Sequence, residues 1–172
     1  FIYRTGPSFV RARAKLGPPD LADLTQFASS STGRHGLVVV GSSTELTNAQ
    51  LNETMFNHSG IQVLELNTQA LLNSGNYGPE LKQLADEVGQ GLAKGSVVLQ
   101  TTRSKTCGPE MTMAESGRMI SQALVEIVRQ LPGNNPPGWV IAKGGITSHD
   151  IVKSGFAVSM TTVMGQAFPG II

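Results

Sequence analysis

The sequence predicts an α/β domain with a mainly parallel central sheet and helices on both faces. Three observations lead there: short β-branched runs bounded by turn residues, segments of helical periodicity between them, and glycine-bearing turns where the runs end. The alternation favours parallel pairing, because a parallel crossover needs about a dozen residues and usually takes the form of a helix.

Composition permits such a core. The 172-residue chain is 40% hydrophobic and 15% charged, which excludes disorder and fits a single globular core. Lys and Arg number 13 against 12 Asp and Glu, and no basic cluster is interleaved with aromatics. The electrostatic footprint of a nucleic-acid binder is therefore missing, and a small-molecule ligand is expected. The single cysteine, Cys107, excludes an internal disulfide and a Cys-based metal cluster, which makes the cytoplasm the default compartment. No apolar run approaches the ~20 residues that span a bilayer, and a polar segment follows Phe1 with no signal-peptide core, so no membrane partner is expected.

Residues 1–35 do not share the strand-helix rhythm. The polar stretch Ser29-Ser30-Ser31-Thr32-Gly33 ends just before the first strand, so this part reads as a connection from an upstream domain. The first strand is predicted over residues 36–41, where three consecutive valines stand between glycines. A helix follows near Thr47-Asn48-Ala49-Gln50, which has the spacing of a capping box, and it is expected to carry Leu51, Met55 and Phe56 inward. Residues 61–66 form the second strand. Leu81, Leu84, Ala85, Val88 and Leu92 then repeat at helical spacing behind Pro79, a good first-turn residue. A third strand is read at residues 96–100, followed by a helix carrying Ile120, Leu124, Ile127, Val128 and Leu131 inward. Residues 131–138 are expected to be a surface loop, since their prolines and glycines deny helix and ladder hydrogen bonds. Strands at residues 139–142 and 157–160 complete the series.

In open α/β sheets ligands bind at the carboxyl ends of strands, which singles out three turns. Gly41-Ser42-Ser43-Thr44 leads from the valine strand towards a helix start, where free N–H groups and the helix dipole suit an anion. The same residues would serve to turn the chain and cap the helix, and both readings stand. Lys143-Gly144-Gly145-Ile146-Thr147-Ser148-His149-Asp150 follows the fourth strand. Its paired glycines permit close backbone approach to a ligand, with Thr147 or Ser148 on a phosphate or on the helix cap. It is not a Walker A motif, which needs wider glycine spacing and Lys before Ser/Thr. Gly165-Gln166-Ala167-Phe168-Pro169-Gly170 is the third turn, and Pro-Gly is first of all a turn sequence. His35, His58 and His149 lack metal-site spacing, Cys107 has no local partner marking a nucleophile, and Arg103 is expected to point into water.

Taken in order, FIYRTGPSFV at residues 1–10, VVVGSS at 38–43 with Thr47, Gln50 and Leu51, IAKGGITSHD at 141–150 and GQAFPG at 165–170 resemble the four-carbon acid sugar kinase family. The resemblance covers nearly the whole chain, and the Ala-Lys-Gly-Gly-Ile-Thr-Ser-X-Asp run followed by Gly-Gln and Pro-Gly is its most specific part. Such proteins have an N-terminal acid-sugar-binding domain and a C-terminal nucleotide-binding domain. The resemblance implies that residues 1–35 end the former, entering through its last strand, and that residues 36–172 belong to the latter. It also implies ATP and Mg²⁺ as cofactors, with ATP held by Ser42, Ser43, Gly144, Gly145, Thr147, Gly165 and Gly170, and Arg4 and Ser8 facing substrate. The implied reaction transfers a phosphoryl group to a terminal hydroxyl of a tetronate or 3-oxo-tetronate acid, a partner held by the N-terminal domain. The catalytic base belongs to that domain, and the Gly-Asn-X-Gly segment that the resemblance implies beyond Gly170 is missing. Both termini therefore read as cuts, the nucleotide-binding domain as incomplete at its C-terminal end, and the isolated chain is expected to be inactive. A homo-oligomer is compatible with this reading. Two alternatives stay open: a phosphosugar-binding or isomerase domain, which would need a Glu or His at the site, with Glu45 the nearby acid, and a structural module of a multidomain enzyme.

Overall fold

The computed structural model describes residues 7–17, 21–23, 25, 34–74, 77–103, 107–133 and 135–168. The chain divides into two compact units, Phe1–Ser30 with Thr161–Ile172, and Ser31–Met160.

The larger unit contains an all-parallel sheet of β1 (Gly36–Val40), β2 (Gln62–Leu66), β3 (Val97–Thr101) and β4 (Trp139–Lys143), in the order β2-β3-β1-β4. Val38 pairs with Val98 on one side and Ile141 on the other, and Val63 pairs with Val98, so the predicted strands share one sheet. The continuous valines of β1 fit a central parallel strand, which is covered on both faces. β1 opens on a glycine for a packing reason. A Cβ on Gly36 would lie 2.0 Å from the indole of Trp139, on the neighbouring strand.

The helices divide unequally between the faces. Leu37 and Val39 point to one face, where they join a core with Leu81, Ala85, Val88 and Leu92 of α4 (Gly78–Leu92) and Leu124, Ile127 and Val128 of α5 (Met113–Arg129). Val38 points to the other face, beside Thr54 and Asn57 of α2 (Glu45–Asn57). The short helix α3 (Thr68–Asn73) adds Leu71 to the first face, and α6 (Gly145–Asp150) runs into a π-helical turn, Ile151–Gly155, that adds Ile151. Helices thus stand on both faces, as the sequence predicts, but α2 covers its side thinly and leaves Ile141 there 54% exposed.

The α4 and α5 stripes lie where periodicity puts them, but three expectations fail. Residues 157–160 form no strand: Ala157 has φ 55°, outside the extended region, and Val158 N–H turns back to the Val152 carbonyl. The helix near Thr47 starts earlier, at Glu45, with Thr44 as its cap, so Thr47 accompanies Gln50 inside the helix rather than opening it. Met55 and Phe56 do not turn inward. Phe56 is 86% exposed, and the buried residue of α2 is Thr47. The entering strand expected upstream lies outside the described residues, and the last residues of the FIYRTGPSFV stretch, which are described, are helical. They belong to α1 (Pro7–Arg13), whose leading proline has the backbone angle a helix start requires.

α1 lies in the smaller unit. There Arg11 Nε donates to the Gly17 carbonyl at 2.8 Å, and Leu21 bridges Gln166 in parallel fashion.

Candidate functional site

Parallel strands place all four carboxyl ends on one edge of the sheet. Where neighbouring strands send their connections to opposite faces, a crevice opens between them. β1 and β4 meet that condition, since β1 leads into α2 on the Val38 face and β4 leads through α6 to Ile151 in the opposite core. Their ends are in register, Val40 beside Lys143, and Gly41 N–H donates to the Lys143 carbonyl at 3.3 Å.

The first turn is ordered by hydroxyl groups. Thr44 Oγ1 accepts from Thr47 N–H at 3.3 Å and lies 2.9 Å from Thr47 Oγ1. Thr47 Oγ1 donates to Ser42 Oγ at 3.3 Å, and Ser42 Oγ lies 3.4 Å from Thr44 Oγ1, closing a ring with buried Thr47 as its inner member. Capping of α2 is therefore the work of Thr44. Among the described residues the N–H groups of Ser42, Ser43 and Thr44 donate to nothing, which leaves three backbone donors at the start of a 13-residue helix.

The second turn lies against the first. Gly144 has φ 117° and ψ 127°, a conformation that L side chains rarely adopt. A Cβ there would sit 3.9 Å from Ser42 Cβ and 3.5 Å from Thr147 Oγ1. Buried Thr147 also crosses to the first turn: a Cβ on Gly41 would meet its Oγ1 at 2.4 Å. Gly41, Ser42, Gly144 and Thr147 thus form one cluster. Gly145 occupies its open side, where a Cβ would meet nothing within 4 Å. Ser148 Oγ donates to the Ala142 carbonyl at 2.7 Å, and Asp150 accepts from Ser121 Oγ of α5 at 2.9 Å, so the run ends on structural tethers that hold α6 in place. Lys143 ends β4, half-buried.

β3 flanks β1 on the other side and supplies a residue that sequence reasoning sent to solvent. Arg103 is turned inward: Nε donates to Asn48 Oδ1 at 2.8 Å, and Nη2 donates to Asn48 Oδ1 at 2.6 Å and to the Ser42 carbonyl. Burial lowers its pKa, opposed by the nearby Glu65 carboxylate. The hydroxyl spacing of Ser42, Thr44 and Thr47 is visible in the sequence once a helix start at Glu45 is chosen. The Arg103–Asn48 pair spans 55 residues and leaves no local signal.

The remaining predicted site residues belong to the smaller unit or lie outside the described residues. Gly165 has φ 127° and belongs to the smaller unit, where the adjacent Gln166 accepts from Ala22 N–H at 2.8 Å. Arg4 and Gly170 lie outside the described residues, as does the Ser8 side chain. A pocket of about 770 Å³ lies at the opposite, amino end of the sheet, lined by His35, His58, Lys94 and Ser96. A second, of about 610 Å³, is an apolar groove beside β4 bounded by Trp139, Val152 and Phe156. Neither pocket contains the first turn. Among the described residues no group of three or more His, Cys, Asp or Glu could hold a metal ion, and no helix is long and apolar enough to cross a membrane.

A family model described as the nucleotide-binding C-terminal domain matches residues 37–172. No curated protein matches the chain.

Proposed function

We propose that this chain, which belongs to the nucleotide-binding C-terminal domain family, holds the phosphates of ATP between its first and second turns and serves a kinase acting on a four-carbon acid sugar. The observation that carries the reading is the meeting of Gly41-Ser42 with Gly144 and Thr147 at the β1/β4 crevice, beside three unpaired backbone N–H groups. Ser42 and Ser43 bind through the first turn. Gly144 and Gly145 admit the phosphates to the backbone, and Thr147 holds the two turns together. Gly165 and Gly170 complete the set that the family resemblance assigns to ATP.

Electrostatics agrees with polyphosphate as ligand. Phosphoryl transfer depends mainly on positioning and on neutralising charge, and preorganised backbone donors supply both. Mg²⁺ would supply the rest of the neutralisation and would come with the nucleotide, since it usually keeps several waters and binds through few carboxylates. Ser43 and Glu45, whose side-chain oxygens are not part of the hydroxyl ring of Ser42, Thr44 and Thr47, would be the residues beside the first turn to hold it. The acid sugar, a tetronate or 3-oxo-tetronate, and the base that takes the proton from its hydroxyl belong in this reading to the family's acid-sugar-binding domain.

Thermal unfolding with two additives, Mg-ATP and a sugar phosphate, tests the assignment. Mg-ATP at about 100 times its Kd stabilises a protein that binds it by about 2.7 kcal/mol. Protection by Mg-ATP and none by a sugar phosphate is the expected result. The reverse pattern would establish the phosphosugar reading, and protection by neither would leave a structural module.

A further inference from the structure

The Arg103 guanidinium is only partly used by the protein. Nε and Nη2 are committed to Asn48 and Ser42, whereas Nη1 is buried with no hydrogen-bond partner among the described residues. An orphaned donor on a cation is costly, because burial removes water without replacing it. The rest of the surroundings do not neutralise the charge. Asn48 and the Ser42 carbonyl are neutral acceptors, and no carboxylate lies within salt-bridge distance of Arg103 among the described residues. Glu65 is near enough to raise the pKa, but its carboxylate accepts from Gln100 at 3.2 Å instead.

The position is as telling as the missing partner. Arg103 follows β3, so it stands at the carboxyl edge of the sheet, on the side of β1 away from the second turn. Its grip on the Ser42 carbonyl turns that oxygen inward and fixes the peptide that follows, whose N–H belongs to Ser43. One side chain therefore fixes a backbone donor of the first turn, which points away from the guanidinium across the trans peptide, and places a full positive charge on the other side of that peptide. Planar guanidinium groups suit phosphate oxygens because their donors are set in a fixed fork.

From this arrangement we infer that Arg103 is the cation that recognises the polyphosphate chain of the ligand, held in its pose by Asn48. This rests on the nucleotide reading of the same turns and adds the residue that discriminates ligands by their phosphate charge. A purely structural Arg103 would support every ligand of the turn equally. A phosphate-reading Arg103 makes affinity depend on phosphate number.

Calorimetry with ATP, inorganic tripolyphosphate and adenosine, on the whole chain and on Arg103→Gln and Asn48→Asp, separates these roles. Asn48→Asp keeps the acceptor and strengthens the tether while cancelling the guanidinium charge, so it decides the matter if Arg103→Gln folds poorly. Both variants are expected to lose about 10- to 100-fold in affinity for ATP and tripolyphosphate, the range of one charged hydrogen bond, and to leave adenosine binding unchanged. Equal losses for adenosine and ATP, or no loss of tripolyphosphate binding in Asn48→Asp, would overturn the inference while the nucleotide site stands. If the whole chain binds tripolyphosphate with no preference for ATP and both variants abolish it, the nucleotide reading fails and Arg103 keeps its role. If the whole chain binds none of the three, both fail.

Discussion

At residue scale the two adjacent glycines of the second turn have different duties, and substitution tells them apart. Gly144 needs its freedom, since φ 117° places it where a side chain is strained by roughly 1–3 kcal/mol. Gly145 has an ordinary backbone and open space around its Cβ position. Gly144→Ala is therefore expected to lower stability in chemical denaturation. Gly145→Val should change stability only by about the 0.5 kcal/mol typical of surface substitutions and should weaken Mg-ATP binding about tenfold or more, because its side chain stands where phosphates approach the backbone. Unchanged binding in Gly145→Val, measured by calorimetry, would remove the second turn from the site. Lys143→Ala, in contrast, is expected to have the smaller effect on binding. The glycines were legible as a turn from the sequence because two in succession after a strand have few other uses. Which of them is conformational and which is open follows only from the fold. Arg103 was misread for a related reason: its acceptors come from a different loop and a different helix, and no local pattern announces them.

At the scale of elements, helix α5 shows what the sequence contains and periodicity overlooks. Its amphipathic stripe was plain, but its start carries a complete capping box. Thr112 Oγ1 accepts from Glu115 N–H at 3.2 Å, and Glu115 Oε2 accepts from Thr112 N–H at 2.7 Å. Thr47–Gln50 has the same spacing, but there the chain has already entered α2. Thr112→Ala is expected to cost about 1 kcal/mol in thermal or chemical unfolding without altering ligand binding. The contribution depends on pH. The Thr112 backbone N–H, followed by its hydroxyl, holds the Glu115 carboxyl below its ordinary value of 4.5, so the charged form is favoured in the folded state. Its stabilising effect is therefore present above the ordinary carboxylate range and is lost as pH falls through the folded-state value. The gap between Thr112→Ala and the unmodified chain should narrow as unfolding is followed from neutral to acid pH, and a gap that widens there would contradict the assignment. The strand expected at residues 157–160 failed for a tertiary reason, since a left-handed Ala157 after a π-helical turn bends the chain out of the extended region.

For the whole molecule, the order of strands and helices was enough to foresee a parallel sheet, because consecutive β-branched runs separated by helices have few other ways to pair. The strand order β2-β3-β1-β4 was not legible, and it is this order that creates the site: β1 lies between β3 and β4, so the turns after all three gather at one edge. The unequal covering of the two faces was likewise hidden, because the apolar residues of α2 look as suitable for a core as those of α4 until Phe56 is seen 86% exposed. The central claim is that this carboxyl edge, rather than the larger pocket at the amino edge, receives the nucleotide phosphates. Backbone amide chemical shifts followed by NMR through a titration with Mg-ATP test it most directly. The account predicts saturable shifts largest at Ser42, Ser43, Gly144 and Gly145, with His35, His58 and Lys94 little changed; shifts concentrated on the histidine-lined end of the sheet, or no saturable shift at the two turns, would contradict it.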